Sequence, residues 1–265
     1  MTDMPEPRVM PTPPPIALPV PELPPRPYGF WATAGWGAIA LLILIVVQTI
    51  CCIPFVAVYV ARHGTRELEQ FAEQLQYNGL LVATATLATA LVGVPFLYLI
   101  IRLRRLSFRT YLGLTHVRWR PMLWWVVGGI LIAAVWDGLA PLLGRPIIPP
   151  FMVRTYESAV VPGLMFVAFI AAAPILEECF FRGFLFRGLA HRRLGGLDAV
   201  VITSAVWAAL HIQYEAFVIG SIFLMGLYLG FCRLKTGSIV PALLIHALWN
   251  LIAMIEVAVY VTFIR

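Results

Sequence analysis

Charge is scarce in this chain. Only 12% of its 265 residues are Asp, Glu, Lys or Arg, whereas 61% are hydrophobic and mean hydropathy is +0.88. A soluble domain is about half apolar and about a quarter charged. That excludes a conventional soluble enzyme and points to a polytopic membrane protein. Cysteine is also sparse. Cys51, Cys52, Cys179 and Cys232 form no CxxC or other zinc-like spacing, and all lie in apolar stretches, where cysteine acts as a small hydrophobe. No HExxH occurs. The net charge of +6 is almost all arginine, and no basic stretch carries a nucleic-acid motif, so no nucleic-acid partner is expected. The N-terminus lacks a basic region leading into a short apolar core, so it does not read as a signal peptide.

Residues 1–27 hold about half of the 21 prolines. Proline removes backbone donors and blocks helix, so this segment reads as a disordered or polyproline tail. Beyond it, apolar stretches recur at membrane-spanning length, about 20 residues. Seven candidates cover 32–60, 79–101, 122–143, 159–181, 197–213, 216–232 and 239–262. The fifth and sixth are short, and a split of the last would give eight. The fold class expected is all-α, a polytopic transmembrane helix bundle of about seven to eight spans. Three regions follow: the tail (1–27), N-terminal transmembrane helices with an arginine-rich loop (28–120), and a C-terminal membrane core (121–265).

Arginine placement suggests an orientation. Arg102, Arg104, Arg105, Arg109, Arg118 and Arg120 cluster in one loop, and Arg182, Arg187, Arg192 and Arg193 follow the fourth stretch. Arg233 and Lys235 follow the sixth. The positive-inside rule makes these segments cytoplasmic, with the N-terminus inside. The protein is expected to be integral and multi-pass, in the plasma (inner) membrane if the host is bacterial, with the bilayer itself as a partner.

Against that background the stretch AAAPILEECFFRGFLFRGL is anomalous. Glu177, Glu178 and Arg182 sit in apolar surroundings, where an ionisable group costs about 2.5–3.5 kcal/mol on insertion scales. Such groups turn toward one another or toward a wet cavity. Glu178 and Arg182 are i,i+4 and share a helix face. Trp207–His211 and His246–Asn250 repeat that spacing on two other apolar segments. Adjacent helical residues diverge by about 100°. Glu178 is therefore expected to pair with Arg182, leaving Glu177 to meet the histidines. Pro174 should kink the helix just before them. Asp137, in the third stretch, reads as a bridge or cap between helices.

A carboxylate set in low dielectric beside an imidazole is a competent general base for water. His246 and Asn250 supply hydrogen-bond donors for an oxyanion. Together these make a peptide hydrolase that needs no cofactor. The alternative is zinc on Glu177, His211 and His246, a known type of ligand set.

Glu177-Glu178-x-x-x-Arg182, Trp207-x-x-x-His211 and His246-x-x-x-Asn250, in this order and with FRGFLFRGL after the glutamates, resemble the CAAX-protease and bacteriocin-processing (CPBP) intramembrane proteases, including type II CAAX prenyl endopeptidases. The resemblance covers roughly residues 120–260. It implies that the bundle encloses an intramembrane active site, that 121–265 is a catalytic membrane core, and that the protein is an endopeptidase acting on a membrane-associated protein or peptide, by CAAX-type or leader-type processing. Glu177 and His211 would activate the water, His246 and Asn250 would form the oxyanion pocket, and Glu178, Arg182 and Trp207 would support them. The family's second motif usually begins with Phe; Trp207 departs from it and bears on substrate fit. A non-catalytic scaffold or bacteriocin-immunity protein, or a proton-coupled transporter, are the competing readings.

Overall fold

A computed structural model describes residues 27–191 and 195–265. The proline-rich tail up to residue 26, and Arg192 and Arg193, lie outside the described residues. The described chain is helical, with no strand among those residues. Its elements are α1 (Phe30–His63), α2 (Leu68–Leu75), α3 (Gly79–Leu103), α4 (Phe108–Leu112), α5 (Trp119–Leu142), α6 (Pro150–Glu157), α7 (Pro162–Leu189), α8 (Gly196–Ala209), α9 (Ala216–Thr236) and α10 (Val240–Ile264). Six of them, α1, α3, α5, α7, α9 and α10, are long and apolar enough to cross a membrane. The protein is a polytopic helix bundle.

The stretch 197–213 departs from expectation. It forms only the 14-residue α8, about 21 Å long, which falls short of a hydrocarbon core of about 30 Å. The polar run His211-Ile-Gln-Tyr-Glu215 ends it early. The last stretch does not split; α10 runs unbroken to Ile264.

Burial ranks the helices. Half of α7's apolar window is buried, against 6% for α1 and for α5. α7 is thus the central post, and α1 and α5 lie at the periphery of the bundle. α7 is also irregular. Ala168–Ala172 and Glu178–Leu185 are π-helical turns, in which each N–H reaches five residues back.

Small residues set the closest approaches. Gly226 and Gly230 stand four apart on α9. A Cβ at Gly226 would lie 2.9 Å from Ser204, and one at Gly230 would lie 2.8 Å from Val200. This is the small-xxx-small contact of membrane helices, and it locks α8 to α9. α5 is fastened differently. Tyr228 Oη donates to Trp125 O at 2.6 Å, and Trp249 Nε1 donates to Gly129 O at 2.8 Å.

The short hairpin levels the motifs. Glu177 lies about 18 Å along α7 from its end at Leu189, and Trp207 lies about 17 Å along α8 from its start at Gly196. Because α7 extends past residue 181, the two meet side by side.

Candidate active site

Glu178 and Arg182 are both fully buried, and Arg182 Nη1 donates to Glu178 Oε1 at 2.9 Å. Arg182 Nη2 donates to Gly226 O at 3.1 Å, and its guanidinium lies 4.5 Å from the Trp207 ring centre. Arg233 Nε donates to Arg182 O at 3.0 Å. The pair predicted from spacing therefore exists, and it sits in a buried network that leaves Glu178 Oε2 and Arg182 Nε without a hydrogen-bond partner among the described residues.

Glu178 does more than pair with Arg182. The same Oε1 lies 2.9 Å from His246 Nδ1. An ionised carboxylate only accepts, so Nδ1–H donates and Nε2 becomes the working nitrogen. That Nε2 lies 3.9 Å from Glu177 Oε2. The distance is too long for a hydrogen bond and leaves both atoms open to a third group.

Glu177 faces differently from its neighbour. A quarter of its side chain is exposed, whereas none of Glu178 is. Its Oε2 accepts from Trp207 Nε1 at 2.5 Å. Trp207 is thus a donor as well as a wall, which a Phe at that position could not be. His211 Nδ1 lies 2.8 Å from Trp207 O. A carbonyl accepts, so Nδ1–H donates and His211 Nε2 is left as acceptor. The His211 and Trp207 rings are 5.3 Å apart. Among the described residues no hydrogen bond or ion pair joins His211 directly to Glu177.

Asn250 follows His246 by four residues on α10. Its Nδ2 donates to Phe169 O at 2.7 Å. The reason lies in α7. In the π turn at Ala168–Ala172, Ala173 N–H reaches Ala168 O, so the next N–H due, for Phe169 O, belongs to residue 174. Residue 174 is proline and has none. Pro174 therefore frees a carbonyl, which Asn250 takes. One Asn250 N–H remains for other use.

The structure thus gathers Glu177, Glu178, Arg182, Trp207 and His246, sets His211 beside Trp207, and ties Asn250 to the adjoining π turn. Asp137 is not among them; it lies near Glu256 of α10. Tyr214 is an addition that spacing rules do not single out. Its ring stacks on His211 at 6.3 Å and 17°. Burial pushes its phenol well above the ordinary range, and the charge of Glu177 adds to that, so it stays a neutral donor. Its signal in the sequence is the polar run directly after a short span.

For the zinc alternative, no three His, Cys, Asp or Glu side chains among the described residues converge as a metal-holding group. Glu177 Oε2 already accepts from Trp207, whereas the bonds to Nδ1 of His211 and His246 leave each Nε2 available, as in metal-bound histidines.

Residues 159–252 match the Rce1-like family, type II CAAX prenyl endopeptidase. The matched segment contains every residue of the cluster, from Glu177 to Asn250. It bears out the family resemblance drawn from the three motifs. The chain is also similar to an Escherichia coli chain described as an uncharacterized 24.3 kDa protein, at 31% identity over 133 residues. That alignment covers 46% of this chain and 58% of the relative's length. No solved structure matches the chain.

Proposed function

We propose that the protein is an intramembrane endopeptidase that hydrolyses a peptide bond in a membrane-associated protein or peptide. The observation that carries this is the contrast within Glu177–Glu178: a partly exposed carboxylate stands 3.9 Å from an imidazole nitrogen whose far side is fixed by a buried one. The match over residues 159–252 supports the same reading. The catalytic core would be the 121–265 portion, and the arginine-rich loops would face the cytoplasm, with the plasma membrane as the site in a bacterial host.

In this mechanism a water binds between Glu177 and the histidines. Glu177, with His211 Nε2 as a second acceptor, takes a proton from it as the oxygen attacks the peptide carbonyl. The oxyanion that forms is held by two donors, the second N–H of Asn250 and the protonated Nε2 of His246. The proton on Glu177 passes to the departing amine as the tetrahedral intermediate collapses. Arg182 and Trp207 position the carboxylates. No step passes through a metal.

The test is a survey of new peptide termini in membranes and secreted fractions. A deletion strain restored with wild type is compared with one restored with Glu177→Gln at matched levels. Termini present only with wild type support the peptidase and name its substrate. Identical profiles, with both proteins folded and abundant, overturn it in favour of a scaffold or transport role. A parallel chelator treatment decides metal dependence: cleavage that survives supports the carboxylate route, and cleavage lost and restored by zinc refutes it.

A further inference from the structure

The end of the bundle away from the arginine-rich loops holds a cavity of about 510 Å³ between α2, the turn into α3, and α6. Its wall on α2 is Phe71, Gln74 and Leu75, one helix face by i,i+3,i+4 spacing. Glu69 and Glu73 fall on the opposite side of that helix. The cavity is therefore apolar along one wall and amide-bearing beside it.

Opposite stands Arg154 of α6. Its guanidinium lies 3.4 Å over the Tyr77 ring centre, a cation–π contact that holds the long side chain in place. Among the described residues no carboxylate forms an ion pair with Arg154. Glu157, the acid on this wall, is drawn instead to Arg265 at the C-terminus. Asn78 Oδ1 is occupied by the Leu81 N–H at 2.9 Å, so its Nδ2 remains a donor. The polar side of the cavity thus offers a fixed cation and free amide donors. The apolar side continues into the Leu75 cluster with Cys51, Cys52, Phe55 and Val56 of α1, beside exposed Ile53 and Val58.

We propose that this cavity binds the phosphate headgroup of an anionic phospholipid, with the phosphate on Arg154 and the acyl chain along α1. A planar guanidinium with flanking amides suits a phosphate oxygen pair, and the apolar wall favours a lipid over a free ion.

Occupancy there is linked to the candidate active site by a run of ring contacts. Tyr77 meets Phe151 of α6 at 5.9 Å, Phe151 meets Tyr214 at 5.4 Å, and Tyr214 stacks on His211. A headgroup that holds Arg154 and Tyr77 steadies α6 and, through Phe151, the 210–215 turn that carries His211.

The experiment uses the full chain in phosphatidylcholine nanodiscs with or without phosphatidylglycerol. Native mass spectrometry counts retained lipid, and amide exchange follows residues 150–157 and 210–215. Wild type retains phosphatidylglycerol, and both segments slow in exchange. Arg154→Gln weakens retention roughly ten-fold, the loss of a charge-assisted contact. Gln74→Glu, which places a carboxylate in the cavity, acts in the same direction, and Arg62→Gln does not. Glu177→Gln behaves as wild type, so the outcome is independent of any peptidase activity. Equal retention by wild type, Arg154→Gln and Gln74→Glu overturns the site. So does equal protection by inorganic phosphate in pure phosphatidylcholine, which would assign the cavity to a free ion. Slowing confined to 150–157 overturns the link to His211.

Discussion

The two sides of the Glu177–Glu178 peptide are built on opposite terms. On the Glu178 side every charge is enclosed: Arg182, Gly226, Arg233 and the inner nitrogen of His246 share one hydrogen-bonded block. On the Glu177 side the groups are loosely joined, partly exposed, and left with free acceptors or donors. A helix makes this division possible because consecutive side chains diverge by about 100°. One carboxylate can then complete a core while its neighbour faces water. The closed side supplies rigidity, and the open side supplies reactivity.

That contrast can be broken from either end. The largest effect is expected for Glu177→Gln: peptidase activity falls about 10²–10⁴-fold, as for loss of a general base, while thermal unfolding in detergent is unchanged. A parallel loss of stability would mean that the open side is structural as well. Next is Arg182→Ala, which strands buried Glu178 and costs about 3–5 kcal/mol; it should fail to accumulate in membranes, and Arg182→Lys should accumulate better. Normal levels of both would remove the closed block's structural role. Gly230→Ala pushes a methyl into Val200 and should cost about 1–3 kcal/mol, read as a lower unfolding midpoint with turnover per folded molecule retained. The smallest is Trp207→Phe. It keeps the wall but removes the indole N–H from Glu177, and about a ten-fold loss of activity is expected, typical of one hydrogen bond to a charged group. An unaltered rate would show that Trp207 serves only as a surface.

The sequence was most legible where chemistry and spacing coincide. The Glu178–Arg182 pair and the six long helices follow from i,i+4 geometry and from hydropathy. Two features were less legible because they depend on partners distant in sequence. That His246 turns its Nδ1 to Glu178 depends on how α10 rests against α7, which no local pattern encodes. The Asn250–Phe169 bond depends on a π turn, and helical periodicity does not distinguish π from α geometry over five residues. The short α8 was half visible: its polar exit at His211–Glu215 was in the sequence, but apolar residues on both sides masked the boundary.

The carbonyl of Phe169 places positions 174 and 250 under a shared constraint. A proline at 174 removes one hydrogen from α7, and some side chain on α10 must return it. Neither position is then free to drift alone. Pro174→Ala would give the carbonyl a competing donor and release Asn250, and Asn250→Ala would leave the carbonyl bare in low dielectric. Made together, the two changes should be milder than their separate effects summed. For folding, the pair is a single locus spread over two helices, while the oxyanion duty proposed for Asn250 keeps the double variant inactive.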